Sequence, residues 1–342
     1  MAEETQSLAP VSPLSAWRYA LRTCNAPPGR VDAVTRWLVL TRACVQPMTL
    51  TAAVFSGLLA LRAPGFNPLL WLLAGVGIVL AHAANNLSND FFDVEAGADT
   101  VDYPRALYAP HPVLSGLVTR ATLLRAILIL NLLDFAILVV LVLARGWLVL
   151  LFALAGLLIS VGYTAPPLRF KQRGLGEPGV FLVWGPLMIG GTYFASTGHL
   201  SWQVLLASVP YALLTSAVLM GKHIDKLPWD RDLRVNTLPV ILGEQRARRL
   251  TQGLMISFYV LVPLLILLKA LPALAVLGLI GLGRLRQVWP TFLKPKPNVP
   301  PAGYPVWPLW YASAAFIHTR RAGAALVAGM ALGAVFPLTP PF

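Results

Sequence analysis

The sequence predicts an all-α, polytopic membrane protein, and three observations support that prediction. The first is composition: the 342 residues are 57% hydrophobic and 12% charged, with a mean hydropathy of +0.68, values typical of polytopic membrane proteins rather than soluble domains. The second is a series of apolar runs about as long as the roughly 20 residues of a transmembrane helix. The third is the distribution of Lys and Arg between those runs.

Nine apolar runs recur along the chain, and we expect each to form a helix that crosses the membrane. They cover residues 39–60, 68–88, 121–143, 147–163, 178–195, 203–221, 250–268, 271–288 and 316–338. Residues 1–35 are interrupted by prolines and are expected to form a cytoplasmic tail. Residues 36–342 are expected to form a single transmembrane domain around a central cavity.

The basic residues predict the orientation of these helices. The formal net charge is +13, a value that would also suit a nucleic-acid-binding protein. When each Lys and Arg is assigned to its nearest inter-helix segment, 24 of the 27 lie on one side of the membrane and 3 on the other. Because Lys and Arg concentrate in cytoplasmic loops, the N-terminus is predicted inside and the C-terminus outside. The same distribution argues against nucleic acid as a partner.

The chain has two cysteines, Cys24 and Cys44. Two cysteines at this separation match neither a disulfide framework nor a metal-binding spacing. We therefore predict that both are incidental to structure and function.

The acidic residues are unevenly placed along the chain. Of the 14 Asp and Glu residues, five lie between Asp90 and Asp102 and three between Asp225 and Asp232. The two segments follow the second and the sixth predicted spans, which end on the same, cytoplasmic side. Carboxylates at membrane depth are costly and usually functional. We therefore expect the two clusters to form one site that faces the cytoplasm.

The first cluster continues a polar stripe along one helix. At 100° per residue, His82, Asn86, Asn89, Asp90 and Asp93 fall within about 100° of one another, while the opposite face is apolar. Such a stripe in a transmembrane helix faces the interior of a bundle or a water-filled cavity. The stripe therefore favours a functional site over ordinary solvation of a helix end.

The residue types in both clusters point to Mg²⁺ and a phosphorylated substrate. Carboxylate and amide oxygens are hard ligands that suit Mg²⁺, and this ion is commonly shared with substrate phosphates. A cation channel would carry acids without neighbouring bases. Here basic residues lie close to the acids on the same predicted face: Arg105, Lys171, Arg173, Lys222, Lys226, Arg231 and Arg234. The two sets together predict a metal-bridged diphosphate site.

The second cluster has a spacing that a regular helix does not accommodate on one face. Asp225 and Asp230 are five residues apart, which is about 140° around a helix, and Pro228 lies between them. We expect a break near Pro228 to turn one carboxylate toward the other. Which of Asp225, Asp230 and Asp232 holds metal stays open.

Three segments of the chain match motifs of one known family. The stretch NLSNDFFDVEAGADT is similar to a first aspartate-rich motif, YTAPPLRFKQRGLGE to a Tyr…Lys…Gly-Leu-Gly-Glu segment, and DKLPWDRDLRVNTLPVILG to a second aspartate-rich motif. In this order they resemble the UbiA superfamily of intramembrane prenyltransferases, in particular its 1,4-dihydroxy-2-naphthoate (menaquinone-type) branch. The resemblance covers roughly residues 39–338, and that superfamily's fold has nine helices.

The polar stripe, the basic residues and the resemblance together assign roles. The expected metal ligands are oxygen donors from both clusters, which would hold two ions: Asn89, Asp90, Asp93, Asp99, Asp225 and Asp230. The expected substrate-binding residues are polar groups around them: Asn86, Arg105, Lys171, Lys222 and Arg234. The expected catalytic residues are Asp93, Asp225, Lys171 and Tyr163, the last as the aromatic neighbour of an allylic cation.

The reaction that the resemblance implies is Mg²⁺-dependent transfer of an isoprenoid chain. The donor would be a prenyl diphosphate, and the acceptor a lipophilic, aromatic quinone precursor within the lipids of the inner cell membrane. Two alternatives stay open. A membrane terpene cyclase on the same fold would ionise the same diphosphate, and an ion-coupled transporter would also carry acids on two related helices, without needing the adjacent bases.

Four residues outside the motifs are polar or aromatic at predicted membrane depth. His82 is interpreted as a hydrogen-bonded structural group, and Asp134 stays open between helix pairing and function. Trp184 and Tyr193 are interpreted as core packing, with the lining of a prenyl-tail cavity as the alternative.

Overall fold

The fold is helical throughout the part of the chain that the computed structural model describes, which is residues 12–29, 31–97, 99–304 and 306–336. No strand forms within those ranges, and one isolated β-bridge joins Arg173 to Asn236. The all-α prediction is confirmed. The α-helices of the described ranges are α1 (Pro13–Thr23), α2 (Ala33–Leu40), α3 (Gln46–Ala60), α4 (Pro68–Glu95), α5 (Pro104–Tyr108), α6 (Arg120–Arg145), α7 (Leu148–Gly162), α8 (Gly176–Leu182), α9 (Gly191–Thr197), α10 (Trp202–Asp232), α11 (Leu238–Leu242), α12 (Glu244–Leu267), α13 (Leu282–Leu293) and α14 (Tyr311–Val335).

Several helical segments have the length and apolar character of membrane spans. Six meet both requirements among the described residues: Ala43–Ala60, Pro68–Glu95, Arg120–Arg145, Gly176–Thr197, Trp202–Asp232 and Glu244–Leu267. The segment Gly176–Thr197 is continuous because a π-helical stretch joins α8 to α9. α7 is apolar but shorter. The predicted span 271–288 coincides with a 3₁₀ segment, Ala273–Gly281, followed by α13. The predicted span 316–338 coincides with α14, which Arg320 and Arg321 make less apolar.

The two N-terminal helices pack against each other and against the 3₁₀ turn Ala43–Val45, which precedes α3. Trp17 Nε1 donates to Asp32 Oδ1 at 3.1 Å, and Asp32 caps the N-terminus of α2. This arrangement brings Cys24, which follows α1, and Cys44, which precedes α3, to a Cα–Cα distance of 5.2 Å, and the two form a disulfide. The prediction that the cysteines are incidental is therefore wrong. The pairing depends on how α1 packs, which the spacing of the two cysteines does not reveal.

α10 is the central helix of the fold, and it packs against α12, α14 and the π-helical stretch. Its apolar side chains, including Leu214 and Met220, are fully buried in the largest hydrophobic cluster. Gly221 allows the close approach of α14: a Cβ at this position would lie 2.7 Å from the carbonyl carbon and oxygen of Tyr311. A larger residue there would push the two helices apart, because protein interiors are close-packed.

α10 continues without a break from Trp202 to Asp232 and passes through Pro228. The break that the sequence led us to expect near Pro228 is absent. The five-residue spacing therefore keeps Asp225 and Asp230 on different faces of one helix.

Candidate active site

The end of α4 and the turn after it bring together three of the predicted metal ligands. Asn89 and Asp93 lie one turn apart in the last two turns of α4. Gly97 then adopts a φ of +65°, a left-handed conformation that suits glycine at a helix end. The Asp99 backbone N–H donates to the Asp93 carbonyl oxygen at 3.1 Å. The chain thus turns back, and Asn89, Asp93 and Asp99 line one small pocket.

Lys171 enters this pocket from the loop that follows α7. Its backbone N–H donates to the carbonyl oxygen of Tyr163 at 3.0 Å, and its Nζ donates to both oxygens of Asp93 at 2.8 Å. Burial opposes the charge of Lys171, but the nearby carboxylates of Asp93 and Asp99 raise its pKa above the usual value. The ammonium group therefore stays charged. Tyr163 also lines the pocket, so the structure brings these two residues together.

α10 contributes a stripe of three charged residues to the same pocket. Lys222, Lys226 and Asp230 are spaced by four and so share one helix face, and all three line the pocket. Lys226 Nζ lies 4.3 Å from the centre of the Tyr103 ring. The Tyr103 hydroxyl donates to Asp230 Oδ1 at 2.6 Å. Asp230 is thus the acid of the second cluster that reaches the site.

Asp90 is committed to ion pairs with arginine. Arg105 donates to both of its oxygens at 2.9 Å, and Arg42 pairs with Oδ1. His111 Nδ1 accepts two backbone N–H groups, and its Nε2 lies 3.3 Å from Asp99 Oδ2. Asp90, Asp99 and His111 are close enough together to suggest a metal site, but two guanidinium groups already neutralise Asp90. Its assignment as a metal ligand is corrected: it holds the two arginines in place.

Asp225 lies outside the pocket, on the face of α10 that meets α14. Its Oδ1 accepts the N–H of Tyr311 at 3.0 Å, and its Oδ2 accepts the N–H of Ala312 at 2.9 Å. Lys296 Nζ lies 4.0 Å from Oδ1. The carboxylate therefore caps α14, whose first N–H groups have no partner within their own helix. The prediction of Asp225 as a catalytic residue and metal ligand is wrong, because α10 continues through Pro228.

Two of the predicted substrate-binding residues also lie away from the pocket, whereas Arg105 and Lys222 line it. Arg234 is exposed and follows the end of α10, which carries it past the site. Its assignment is corrected for that reason. Asn86 donates its side-chain amide to the Thr41 carbonyl oxygen at 3.1 Å. It lines the larger cavity that adjoins the pocket.

The pocket has a volume of about 20 Å³ and is rich in charge. It contains three carboxylates, from Asp93, Asp99 and Asp230. It is also lined by five basic side chains: Arg42, Arg105, Lys171, Lys222 and Lys226. This combination suits an anionic ligand that is bound partly through a metal ion and partly through bases.

Two carboxylate oxygens in the pocket lack hydrogen-bond partners in the described part of the chain, which bears on whether a metal ion would fit there. Asp99 Oδ1 and Asp230 Oδ2 are buried and accept no hydrogen bond from any described residue. A buried carboxylate oxygen without a partner is costly. With the oxygens of Asn89 and Asp93 they form a set of hard donors of the kind that binds Mg²⁺. The residues present therefore fit a divalent ion.

A large apolar cavity of about 900 Å³ adjoins the charged pocket. Its walls come mainly from α4, α6 and α7, with further residues from α10, α14 and the π-helical stretch. The pocket and the cavity meet at residues that line both: Arg42, Asn89, Arg105, Tyr163 and Lys222. The arrangement suits an amphiphile with an anionic head and a long apolar tail.

The polar and aromatic residues at membrane depth have different environments. His82 Nδ1 lies 2.7 Å from the Thr49 hydroxyl, and its ring packs edge-on against Trp184, which agrees with a hydrogen-bonded structural role. Trp184 and Asp134 line the large cavity. Tyr193 is buried in a small apolar cluster.

Four residues of the pocket were given no individual role from the sequence, although Lys226 was one of the bases noted beside the acids: Arg42, Tyr103, His223 and Lys226. His223 Nδ1 is 2.7 Å from a buried Glu177 oxygen, and its Nε2 is 3.2 Å from the Tyr163 hydroxyl. The four-residue spacing from Lys226 to Asp230 could have indicated that both face the site. The position of Arg42 inside an apolar run could have indicated a functional residue. Tyr103 and His223 carry no local signal of this kind.

The fold and the site together define a helical membrane protein in which a charged pocket adjoins an apolar cavity between the helices. The chain belongs to the UbiA prenyltransferase family, whose sequence profile matches residues 49–304, and it is a prenyltransferase. Among curated relatives, 1,4-dihydroxy-2-naphthoate octaprenyltransferase of Escherichia coli is 28% identical over 226 residues, covering 64% of this chain and 72% of the relative. A 2-carboxy-1,4-naphthoquinone phytyltransferase of Synechocystis sp. is 28% identical over 231 residues, covering 67% and 71%.

Solved structures show the same fold at low sequence identity. An apo UbiA homologue from Aeropyrum pernix K1 has a TM-score of 0.64 at 18% identity, and the similarity covers 84% of this chain and 97% of that chain. A UbiA homologue from Archaeoglobus fulgidus, bound to GPP and Mg²⁺, has a TM-score of 0.56 at 15% identity and covers 86% and 99%. The helical architecture is therefore that of UbiA homologues.

Proposed function

We propose that this protein transfers an isoprenoid chain from a prenyl diphosphate to a lipophilic aromatic acceptor, within the membrane and with Mg²⁺. The observation that carries the proposal is the junction of a charged pocket with an apolar cavity of about 900 Å³. A prenyl diphosphate has the same two parts, an anionic head and an apolar tail. The names of the naphthoate and naphthoquinone prenyltransferases among the relatives support a quinone precursor as acceptor.

The charged side chains would bind the diphosphate and stabilise its departure. Oxygens of Asn89, Asp93, Asp99 and Asp230 would hold Mg²⁺, which when bound supplies positive charge to the leaving group. Arg105 is held in place by its two hydrogen bonds to Asp90, and Lys171 by its two hydrogen bonds to Asp93. Cations fixed in this way need no reorganisation as negative charge develops, so they favour the transition state over the bound substrate.

The junction of the two chambers would shelter the allylic cation that forms when the C–O bond breaks. Tyr163 lines both chambers, and its aromatic face would stabilise that cation by cation–π attraction. The apolar cavity walls would keep water away from it. A ring carbon of the acceptor then attacks the cation, and the proton on that carbon passes to a carboxylate or to water.

We propose nine membrane spans, with the N-terminus and the pocket on the cytoplasmic side of the inner membrane. The 24-to-3 division of Lys and Arg supports this orientation. A reporter fused after Phe342 is expected to be active only outside the cytoplasm, and one fused after Arg234 only inside it. Cytoplasmic activity of the reporter at the C-terminus would mean an even number of spans and would contradict the proposal.

The function is tested by supplying the purified protein with prenyl diphosphates of several lengths, with and without a dihydroxynaphthoate acceptor. We expect equal amounts of prenylated acceptor and free diphosphate, formed only with Mg²⁺. Excess chelator should stop the reaction, and added Mg²⁺ should restore it. Full turnover in excess chelator would contradict the proposal. Diphosphate release with a cyclised hydrocarbon as product and no use of the acceptor would indicate a terpene cyclase.

A further inference from the structure

We infer that this site binds its diphosphate with one divalent ion, and that Lys222 and Lys226 directly supply the positive charge that a second ion would bring. The inference rests on the proposed function, because it concerns how the head of a prenyl diphosphate is held. It replaces the expectation from the sequence that each acidic cluster binds its own ion.

The oxygen ligands are concentrated on one side of the pocket. Asn89, Asp93 and Asp99 all come from the end of α4 and the turn after it. The opposite side, formed by α10, presents only the carboxylate of Asp230, because that of Asp225 caps α14. One Asp230 oxygen accepts the Tyr103 hydroxyl, and only the other is unpartnered. The α10 side thus has a single available carboxylate oxygen.

Two lysines share the face of α10 that carries Asp230. Lys226 and Lys222 precede Asp230 by one and two turns on the same face of α10, and both line the pocket. In the described part of the chain, no ion pair within 4.0 Å joins either lysine to a carboxylate. The ammonium group of Lys226 rests on the Tyr103 ring instead. Basic side chains at this position attract phosphate oxygens and disfavour a divalent cation.

The charge of the pocket also argues against a second ion. The pocket is lined by five basic side chains and three carboxylates. A second divalent ion on the α10 side would lie beside two of those bases, Lys222 and Lys226, and positive charge left uncompensated in a buried site is costly.

The inference is tested by counting bound Mn²⁺, a paramagnetic substitute for Mg²⁺. Electron paramagnetic resonance would count the ions on the purified full-length protein, saturated with an unreactive prenyl thiolodiphosphate. We expect one ion per chain, and two ions per chain would overturn the inference. If the thiolodiphosphate binds under no metal condition, the proposed function fails, and this inference fails with it.

The variant Lys226→Gln removes the charge without adding a metal ligand. We expect the Mn²⁺ count to stay at one while the affinity for the thiolodiphosphate falls roughly tenfold or more, because a charge-assisted contact to phosphate is lost. Lys269→Gln, at an exposed lysine after α12, is the matched control and should bind like the wild type. An unchanged affinity in Lys226→Gln would overturn the role of this lysine.

The variant Lys226→Asp places a carboxylate one helical turn before Asp230. We expect the Mn²⁺ count to rise from one to two, because the α10 side would then have two neighbouring carboxylates in place of a carboxylate and an ammonium group. A melting temperature close to that of Lys226→Gln would establish that the fold is intact. A count of one in the folded variant would overturn the inference that Lys226 excludes the second ion.

Discussion

Replacing Asp93 with Asn is expected to lower the rate of prenyl transfer by about a thousandfold or more. The change keeps the shape of the side chain but removes a carboxylate from the metal ligands and leaves the buried Lys171 ammonium without its ion-pair partner. Metal ions contribute several kcal/mol of charge stabilisation at such sites, and each 1.36 kcal/mol is a factor of ten in rate. Steady-state turnover at saturating Mg²⁺ and prenyl diphosphate measures the effect.

The control for this variant is Asp232→Asn, an acid of the second cluster that is exposed and does not line the pocket. It should keep nearly full turnover. Melting temperatures of both variants separate a lost site from a lost fold, because an unpaired buried lysine also costs stability. Normal metal-dependent turnover in Asp93→Asn would show that Asp93 is not needed at the site. A larger loss of turnover in Asp232→Asn would show that Asp232 belongs to the site.

Replacing Asp225 with Ala is expected to destabilise the protein while leaving its chemistry nearly intact. The carboxylate accepts two buried N–H groups at the beginning of α14, and each such group left without a partner costs about 1–3 kcal/mol. The free energy of unfolding should therefore fall by roughly 2 kcal/mol or more. Thermal unfolding measures the loss, and turnover below the unfolding transition should stay within a few-fold of wild type.

Asp230→Asn is the matched variant, and the opposite result is expected for it. Asp230 faces the pocket, so the melting temperature should change little while turnover falls by roughly a hundredfold. Combining it with Asp93→Asn should cost less than the product of the two separate losses, as for groups that act on one ligand. A low turnover with an unchanged melting temperature in Asp225→Ala would refute the assignment of Asp225 as a helix cap.

Much of the first half of the site could be predicted from the sequence because it is local. Asn89, Asp93 and Asp99 lie within a few turns of chain, so helical periodicity and a glycine turn are sufficient to bring them together. Lys171 and Tyr163 come from a distant segment, and periodicity alone does not place them beside Asp93. The resemblance to a family motif indicated their location, and the structure agrees with it.

The second half of the site required the tertiary structure. Periodicity establishes that Asp225 and Asp230 point in different directions on a regular helix, but not which of them faces the pocket. The packing of α14 against α10 decides this, because the N–H groups that Asp225 caps are 86 and 87 residues away in sequence. The same holds for Asp90, whose partner Arg42 is 48 residues away.

The sequence by itself therefore determined the class of protein, its all-helical fold and the local turn that brings Asn89, Asp93 and Asp99 together. These properties depend on composition and on periodicity within single helices, and both can be read from residues that are close together in the sequence. Only the tertiary structure decided which carboxylate pairs with arginines, which one caps a helix and which lysines line the pocket. It also decided that Cys24 pairs with Cys44. Such choices depend on which helix faces meet, and contacts between distant segments follow from packing of the whole bundle.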